Sequence, residues 1–286
     1  MARHSLILAA LLALAAVAPA AASADVKQET RTTTTPAGEV RAELTYDKVS
    51  DFEYKDVRIK ITRAGAVLLD ALVPEPCKDC GVAPAGGGDP TNPSLRLTDL
   101  DANGEPEVLV DLFTGGAHCC SFTQIYGYKP ATNSYGRTKG SWYDYGYTLR
   151  DLDGDGSPEL ESADWRFAGA FAAYAASGAP VQIWKYGSGK LNDVTRGFKS
   201  QIKSDLKQWV KLYKKIRKDP DVPDVRGFLA AYAADKYLLG QGDTAFDLIN
   251  AANKRGELKA IGGDTTASGK KFISALRKYL HKTGYR

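Results

Sequence analysis

Histidine is scarce in this chain, with three in 286 residues, and methionine occurs once. His4 falls in the N-terminal leader, which leaves His118 and His281 for any imidazole chemistry. His281 closes a basic helical segment and reads as a surface residue. His118 stands beside Cys119 and suggests a Cys–His nucleophile, but that chemistry requires a free thiol. No P-loop, dinucleotide fingerprint or nucleophile elbow occurs. Beyond the leader no apolar run is long enough to cross a bilayer. These absences argue against a nucleotide-dependent or His-driven enzyme. Carboxylate chemistry of the glycosidase kind stays open, because two acids such as Glu161 and Asp164 can be assembled from separate positions.

Cysteine is also sparse, and its meaning depends on compartment. Met1-Ala-Arg-His, an apolar run from Leu6 to Val17 and Ala22-Ser-Ala24 have the layout of a secretory signal peptide spanning 1–24. No cysteine follows the cleavage position, so nothing signals a lipid anchor. A secreted, periplasmic or cell-envelope location is expected. In an oxidising compartment the four cysteines, Cys77, Cys80, Cys119 and Cys120, favour disulfides. A vicinal Cys119–Cys120 bridge is geometrically awkward, which favours two cross-links from the Cys77/Cys80 loop to the adjacent pair. The alternative is a soft-metal or redox site built from these thiols and His118.

Charge divides the chain. Residues 25–195 hold 17 Lys+Arg against 25 Asp+Glu, a net of −8, whereas residues 196–286 hold 20 against 9, a net of +11. The expected organisation is a flexible Thr-rich lead-in at 25–40, a β-repeat domain at 41–196 and a basic α-helical domain at 197–286. In the first half Val57-Arg-Ile-Lys-Ile61 alternates as a half-buried strand does, ending at Thr62 before a turn. In the second half Phe198, Ile202, Leu206, Trp209, Tyr213 and Ile216 make one helical stripe, ended by Pro220 and Pro223. Further helices are expected around Val225–Tyr232, after an Asp243 N-cap, and around Phe272–Leu280. The fold class is α+β, a mainly-β repeat domain, either a partial propeller-like array or a sandwich, followed by a small helical bundle.

The strongest pattern occurs twice: Asp99-Leu-Asp-Ala-Asn-Gly-Glu-Pro-Glu107 and Asp151-Leu-Asp-Gly-Asp-Gly-Ser-Pro-Glu159. Oxygen-bearing side chains at alternate positions, with Gly at the sixth, curl a short loop around a hard cation. Four carboxylates within nine residues of the second loop repel one another unless a cation neutralises them. An EF-hand is excluded because its twelfth positions are Val110 and Ser162. The loops lie 52 residues apart, and the later segments Gln124-Ile-Tyr-Gly-Tyr128 and Gln182-Ile-Trp-Lys-Tyr186 lie 58 apart, an internal repeat with a small insertion.

These loops resemble the calcium loops of FG-GAP and VCBS repeats, the blade units of integrin-type β-propellers. Thr114-Gly-Gly-Ala-His-Cys-Cys120 and Asp164-Trp-Arg-Phe167 also resemble segments of uncharacterised secreted bacterial proteins with such repeats. The resemblance implies Ca2+ held by the side chains of Asp99, Asp101, Asn103 and Glu107, and of Asp151, Asp153, Asp155 and Glu159. Glu105 and Ser157 would add backbone carbonyls. Both loops close with Glu where the family usually has Asp, and only two or three units are visible where a closed ring needs about four.

The aromatic segment Trp142, Tyr143, Tyr145 and Tyr147 reads as packing rather than a sugar platform. Phe167, Phe171 and Tyr174 read as core contacts of a short helix. The cluster Lys211, Lys214, Lys215, Arg217 and Lys218 is either a solvated helix end, a dock for the acidic half, or a surface for an anionic cell-envelope polymer or carbohydrate. Export argues against nucleic acid. The expected function is a secreted calcium-binding repeat protein with a non-catalytic binding or envelope-associated role; the alternative is a secreted hydrolase with its site in the interdomain cleft.

Overall fold

The computed structural model describes residues 25–50, 53–76, 83–85, 93–115, 120–219, 224–260 and 266–286. Residues 1–24, where a signal peptide is expected, and His118, Cys77, Cys80 and Cys119 lie outside the described residues. The fold is α+β: three antiparallel sheets come first and helices last.

The first sheet is a meander of β1 (Asp25–Thr35), β2 (Gly38–Lys48), β3 (Tyr54–Arg63) and β4 (Ala66–Leu72). The lead-in expected to be flexible is therefore strand, paired with β2 along all eleven of its residues. Its polar threonines gave no apolar pattern, but they are β-branched and suit an extended backbone. The ladder comes from β2, whose Val40, Ala42 and Leu44 are fully buried. β3 turns into β4 through Ala64 and Gly65, both at positive φ, as a tight hairpin requires.

The second sheet contains β5 (Ala83–Pro84), β6 (Leu95–Thr98), β7 (Glu107–Phe113), β8 (Ser121–Lys129) and β9 (Ser134–Tyr143). The third is β10 (Thr148–Arg150), β11 (Glu159–Ala163), β12 (Val181–Gly187) and β13 (Lys190–Asp193). The internal repeat holds in register. Thr98 faces Glu107 and Arg150 faces Glu159; Val108 faces Tyr126 and Leu160 faces Trp184. The insertion that separates the two units falls between β11 and β12, in residues 164–180. It carries two short 3-10 turns rather than the expected helix, and it places Phe167 and Phe171 in the helical core while Tyr174 stays exposed.

β7 is buried on both faces, which decides the layering. Val108, Val110 and Leu112 pack on the first sheet's Leu44, Ile59 and Ile61. Leu109 faces the other way, with Ile125 and Trp142, toward Leu160 and Tyr186 of the third sheet. No closed barrel or propeller ring forms among the described residues.

The helices are α1 (Lys199–Ile216), α2 (Arg226–Leu238), α3 (Asp247–Lys254) and α4 (Gly269–Lys282). The expected stripe on α1 buries Ile202, Trp209 and Tyr213. Asp243 does not cap α3. It lies in a 3-10 turn, and α3 begins only after Phe246 is anchored in the core. α3 ends in a Schellman motif: Gly256, at φ +74°, donates to Asn253 O and Glu257 donates to Ala252 O. No helix among the described residues is long and apolar enough to cross a membrane.

Candidate metal centre

Each acidic loop joins the first two strands of its unit, loop one from β6 to β7 and loop two from β10 to β11. Local hydrogen bonds impose the curl. Asp99 accepts from the amides of Asn103 (3.1 Å) and Gly104 (2.8 Å). Asp151 accepts from Gly154 (2.7 Å) and Gly156 (3.0 Å). Gly104 and Gly156 stand at φ +83° and +86°, where a Cβ would be strained. The closing glutamates are the buried members. Leu100 N donates to Glu107 Oε2 and Leu152 N to Glu159 Oε2, both at 2.9 Å. Ser157 Oγ donates to Leu100 O at 2.7 Å and ties the loops together.

In loop one, oxygens of Asp99, Asp101 and Glu107 lie within 4.8 Å of one another; in loop two the same holds for Asp151, Asp153 and Glu159. Asn103 lies beside the first cluster, in the wall of a groove of about 640 Å³ that also includes Asp101 and Glu107. Its Oδ1 accepts from Glu105 N at 2.7 Å. The Glu105 side chain is held by Arg63 through two hydrogen bonds, of 2.9 and 2.7 Å. Asp155 does not join its cluster. It pairs with Lys185 at 2.5 Å, and the same ammonium lies 3.2 Å from Glu159 Oε1. Lys185 was missed by sequence reasoning, although its place in the second copy of the repeated strand could have signalled it.

The two loops therefore differ in electrostatics. Burial pushes the Glu107 carboxyl up to about 8, the Leu100 amide offsets part of this, and Asp101 and Asp99 add to the rise. Burial, reinforced by Asp99, also raises Asp101, whose buried Oδ1 has no hydrogen-bond partner. Asp155 is lowered, chiefly by its hydrogen bond from Lys185. An all-oxygen set of this kind suits a hard cation such as Ca2+ rather than Zn2+ or Cu2+.

The remaining candidates resolve as follows. Cys120 is disulfide-bonded, so it supplies no thiolate for a metal or redox site. Trp142 and Tyr147 are buried, and Tyr143 stacks on Trp165, as packing requires; Tyr145 remains exposed. Lys211, Lys214, Lys215 and Lys218 are exposed, whereas Arg217 is committed to Glu257. A cavity of about 500 Å³ between the third sheet and the C-terminus is lined by Arg166, Arg196 and Tyr285, with Asp193 its one acid. That carboxylate is already bonded to Thr195. A cavity of about 340 Å³ against α1 is lined by Arg150, Glu161 and Asp205. Behind it lies Asp235, fully buried, whose carboxyl oxygens receive no hydrogen bond. Burial and the neighbouring Asp205 push the Asp235 carboxyl well above the ordinary carboxylate range. Nothing in the sequence pairs these two positions.

Residues 202–284 match the family model of the sll0997 C-terminal domain. This overturns the FG-GAP/VCBS resemblance: the family recognised is another one, and it covers the helices rather than the acidic loops. The chain is 28% identical over 264 residues to "Uncharacterized protein y4bJ" of Sinorhizobium fredii, covering 87% of this chain and 40% of that protein. It is 33% identical over 169 residues to "Probable thylakoid lumen protein sll0997" of Synechocystis sp., covering 54% of this chain and 46% of that protein. The chain thus spans less than half the length of either relative. No solved structure matches.

Proposed function

We propose that this is an exported calcium-binding protein with a non-catalytic role in the extracytoplasmic space or cell envelope. One observation carries the reading. In each of two sequence-equivalent loops a buried glutamate, 3% exposed at Glu107 and 0% at Glu159, is aimed at two further carboxylates. Buried carboxylates are costly without a cation, and Ca2+ would supply one. The ion would fasten the first two strands of a unit to each other, and the second and third sheets act as repeat units of a short open array. Export is supported by the leader and by the printed name of the Synechocystis relative, a probable thylakoid lumen protein. For a partner, exposed Lys199, Lys203, Lys207 and Lys211 recur every fourth residue along α1 and suit an anionic envelope polymer or carbohydrate. Thermal unfolding in EDTA and after calcium is restored tests the reading. A rise in midpoint with calcium is expected, and no shift at millimolar calcium would reject it.

A second reading, a hydrolase in the cleft between the third sheet and α1, is favoured by Glu161 and Asp205 in its wall, with Asp235 buried behind Asp205. Its test is glycan hydrolysis by the purified protein. Product formation that Asp205→Asn abolishes without lowering the unfolding midpoint would establish it.

A further inference from the structure

The two loops are equivalent in sequence and register, yet their surroundings place different groups beside the closing glutamate. The repeated strand reads Gln-Ile-Tyr-Gly-Tyr at 124–128 and Gln-Ile-Trp-Lys-Tyr at 182–186, so Gly127 is the counterpart of Lys185. The register confirms the correspondence, since Val108 with Tyr126 matches Leu160 with Trp184. In loop two Lys185 reaches Asp155 Oδ2 at 2.5 Å and Glu159 Oε1 at 3.2 Å. In loop one the counterpart has no side chain, and a Cβ at Gly127 would lie 2.3 Å from the Tyr186 hydroxyl and 3.4 Å from Glu107 Oε1. The space that a lysine would need is taken by a tyrosine from the neighbouring sheet.

We propose that the two loops have parted in function: loop one binds the divalent cation, and in loop two the Lys185 ammonium takes the cation's place. The inference rests on the calcium reading above and assigns it to one loop. Glu107 is 3% exposed; Leu100 N donates to its Oε2, and its Oε1 lies 3.4 Å from where a Cβ of Gly127 would stand. Asp101 Oδ1 is buried without a hydrogen-bond partner; Glu159 Oε1 in loop two also accepts no hydrogen bond, but there the Lys185 ammonium stands 3.2 Å away as its counter-charge. Among the described residues no basic group pairs with Asp99, Asp101 or Glu107, and the cluster opens onto the groove, which gives an ion access. At loop two an incoming ion must first displace an ammonium, against the attraction of two carboxylates and with like-charge repulsion until it leaves. A divalent ion therefore gains least where the acids are already neutralised.

Calorimetric titration of the purified protein with calcium chloride tests this. The expected stoichiometry is one ion per chain, lost in Asp99→Asn plus Asp101→Asn and retained in Asp151→Asn plus Asp153→Asn. Lys185→Gln should gain a second binding event while the first keeps its affinity within about threefold. Two ions in the unaltered protein, or binding lost only in the loop-two variant, would overturn the division of roles and leave the calcium reading standing. No binding in any variant would overturn both. The stoichiometry and the paired loop variants decide the matter even if the Lys185 variant does not fold.

Discussion

Gly127 and Arg226 show what a single position can hold in place. At Gly127 a methyl group would meet the Tyr186 hydroxyl at 2.3 Å, and the next ring atom only at 3.5 Å. Tyr186 is buried, so its rigid ring has little room to yield. Gly127→Ala should therefore cost about 1–3 kcal/mol, as overpacked cores do. Tyr186→Phe in the same chain removes the clashing atom and should recover most of that loss, read as a negative coupling in a urea-unfolding double-mutant cycle. Arg226 is fully buried at the head of α2. It forks onto Asp224 at 3.0 and 2.7 Å and donates to Thr266 Oγ1 and Ala267 O. Arg226→Met leaves Asp224 buried without its cation and should cost about 3–5 kcal/mol. Arg226→Lys, which lacks the planar fork, should recover less than half of it by the same measurement.

At the scale of elements, α1, α2 and β12 meet around a pair of acids. Asp205 on α1 accepts from Val181 N at 2.8 Å, and Asp235 on α2 is buried against it with Tyr285 and Glu161 in electrostatic reach. Because the folded state raises Asp235 above its ordinary value, folding takes up a proton once pH exceeds the unfolded carboxyl range. The contribution of this group to stability is therefore full in acid below about pH 4 and declines as pH rises toward its folded value. Asp235→Asn should be more stable than the parent at pH 8, by on the order of 1 kcal/mol, with the advantage shrinking by pH 4.5. Denaturant unfolding at the two pH values checks this; an equal difference at both would reject the raised Asp235 carboxyl. No pattern in the sequence announced this pair, because its members lie on different helices and neither breaks the helical periodicity. The helices themselves were legible for that reason: apolar residues every three or four positions survive any tertiary context. β1 was not, because its pairing lies in the backbone and in β2, and its own threonines resemble an unstructured lead-in. The curl of the acidic loops was legible, since their geometry is made within nine residues. Their difference was not, because Lys185 arrives from a strand 30 residues beyond its partner Asp155.

For the whole molecule, the boundary between acidic and basic halves suggested two domains docked by charge, but the contact is made by other means. Residues 164–180, the insertion that distinguishes the third sheet from the second, bury Phe167, Phe171 and Ala179 among Leu229, Phe272 and Leu276 of the helices. Val181 and Ile183 of β12 share a second cluster with Ile202 of α1. Hydrogen bonds close the seam: Tyr285 donates to Asp164 at 2.9 Å, and Arg196 donates to the carbonyls of Tyr237, Gly284 and Tyr285. A chain ending at residue 196 would expose Phe167, Phe171, Val181 and Ile183 together and leave the fully buried Asp164 without its tyrosine. An exposed apolar patch of that kind drives association. Residues 25–196 expressed alone should aggregate or unfold at a markedly lower temperature than the whole chain, and Phe167→Ala in the whole chain should cost about 3–5 kcal/mol. If residues 25–196 instead yield a monomer with the parent's calcium response and a sharp unfolding transition, the third sheet is complete without the helices. The seam would then be a contact between two independent domains rather than one continuous core.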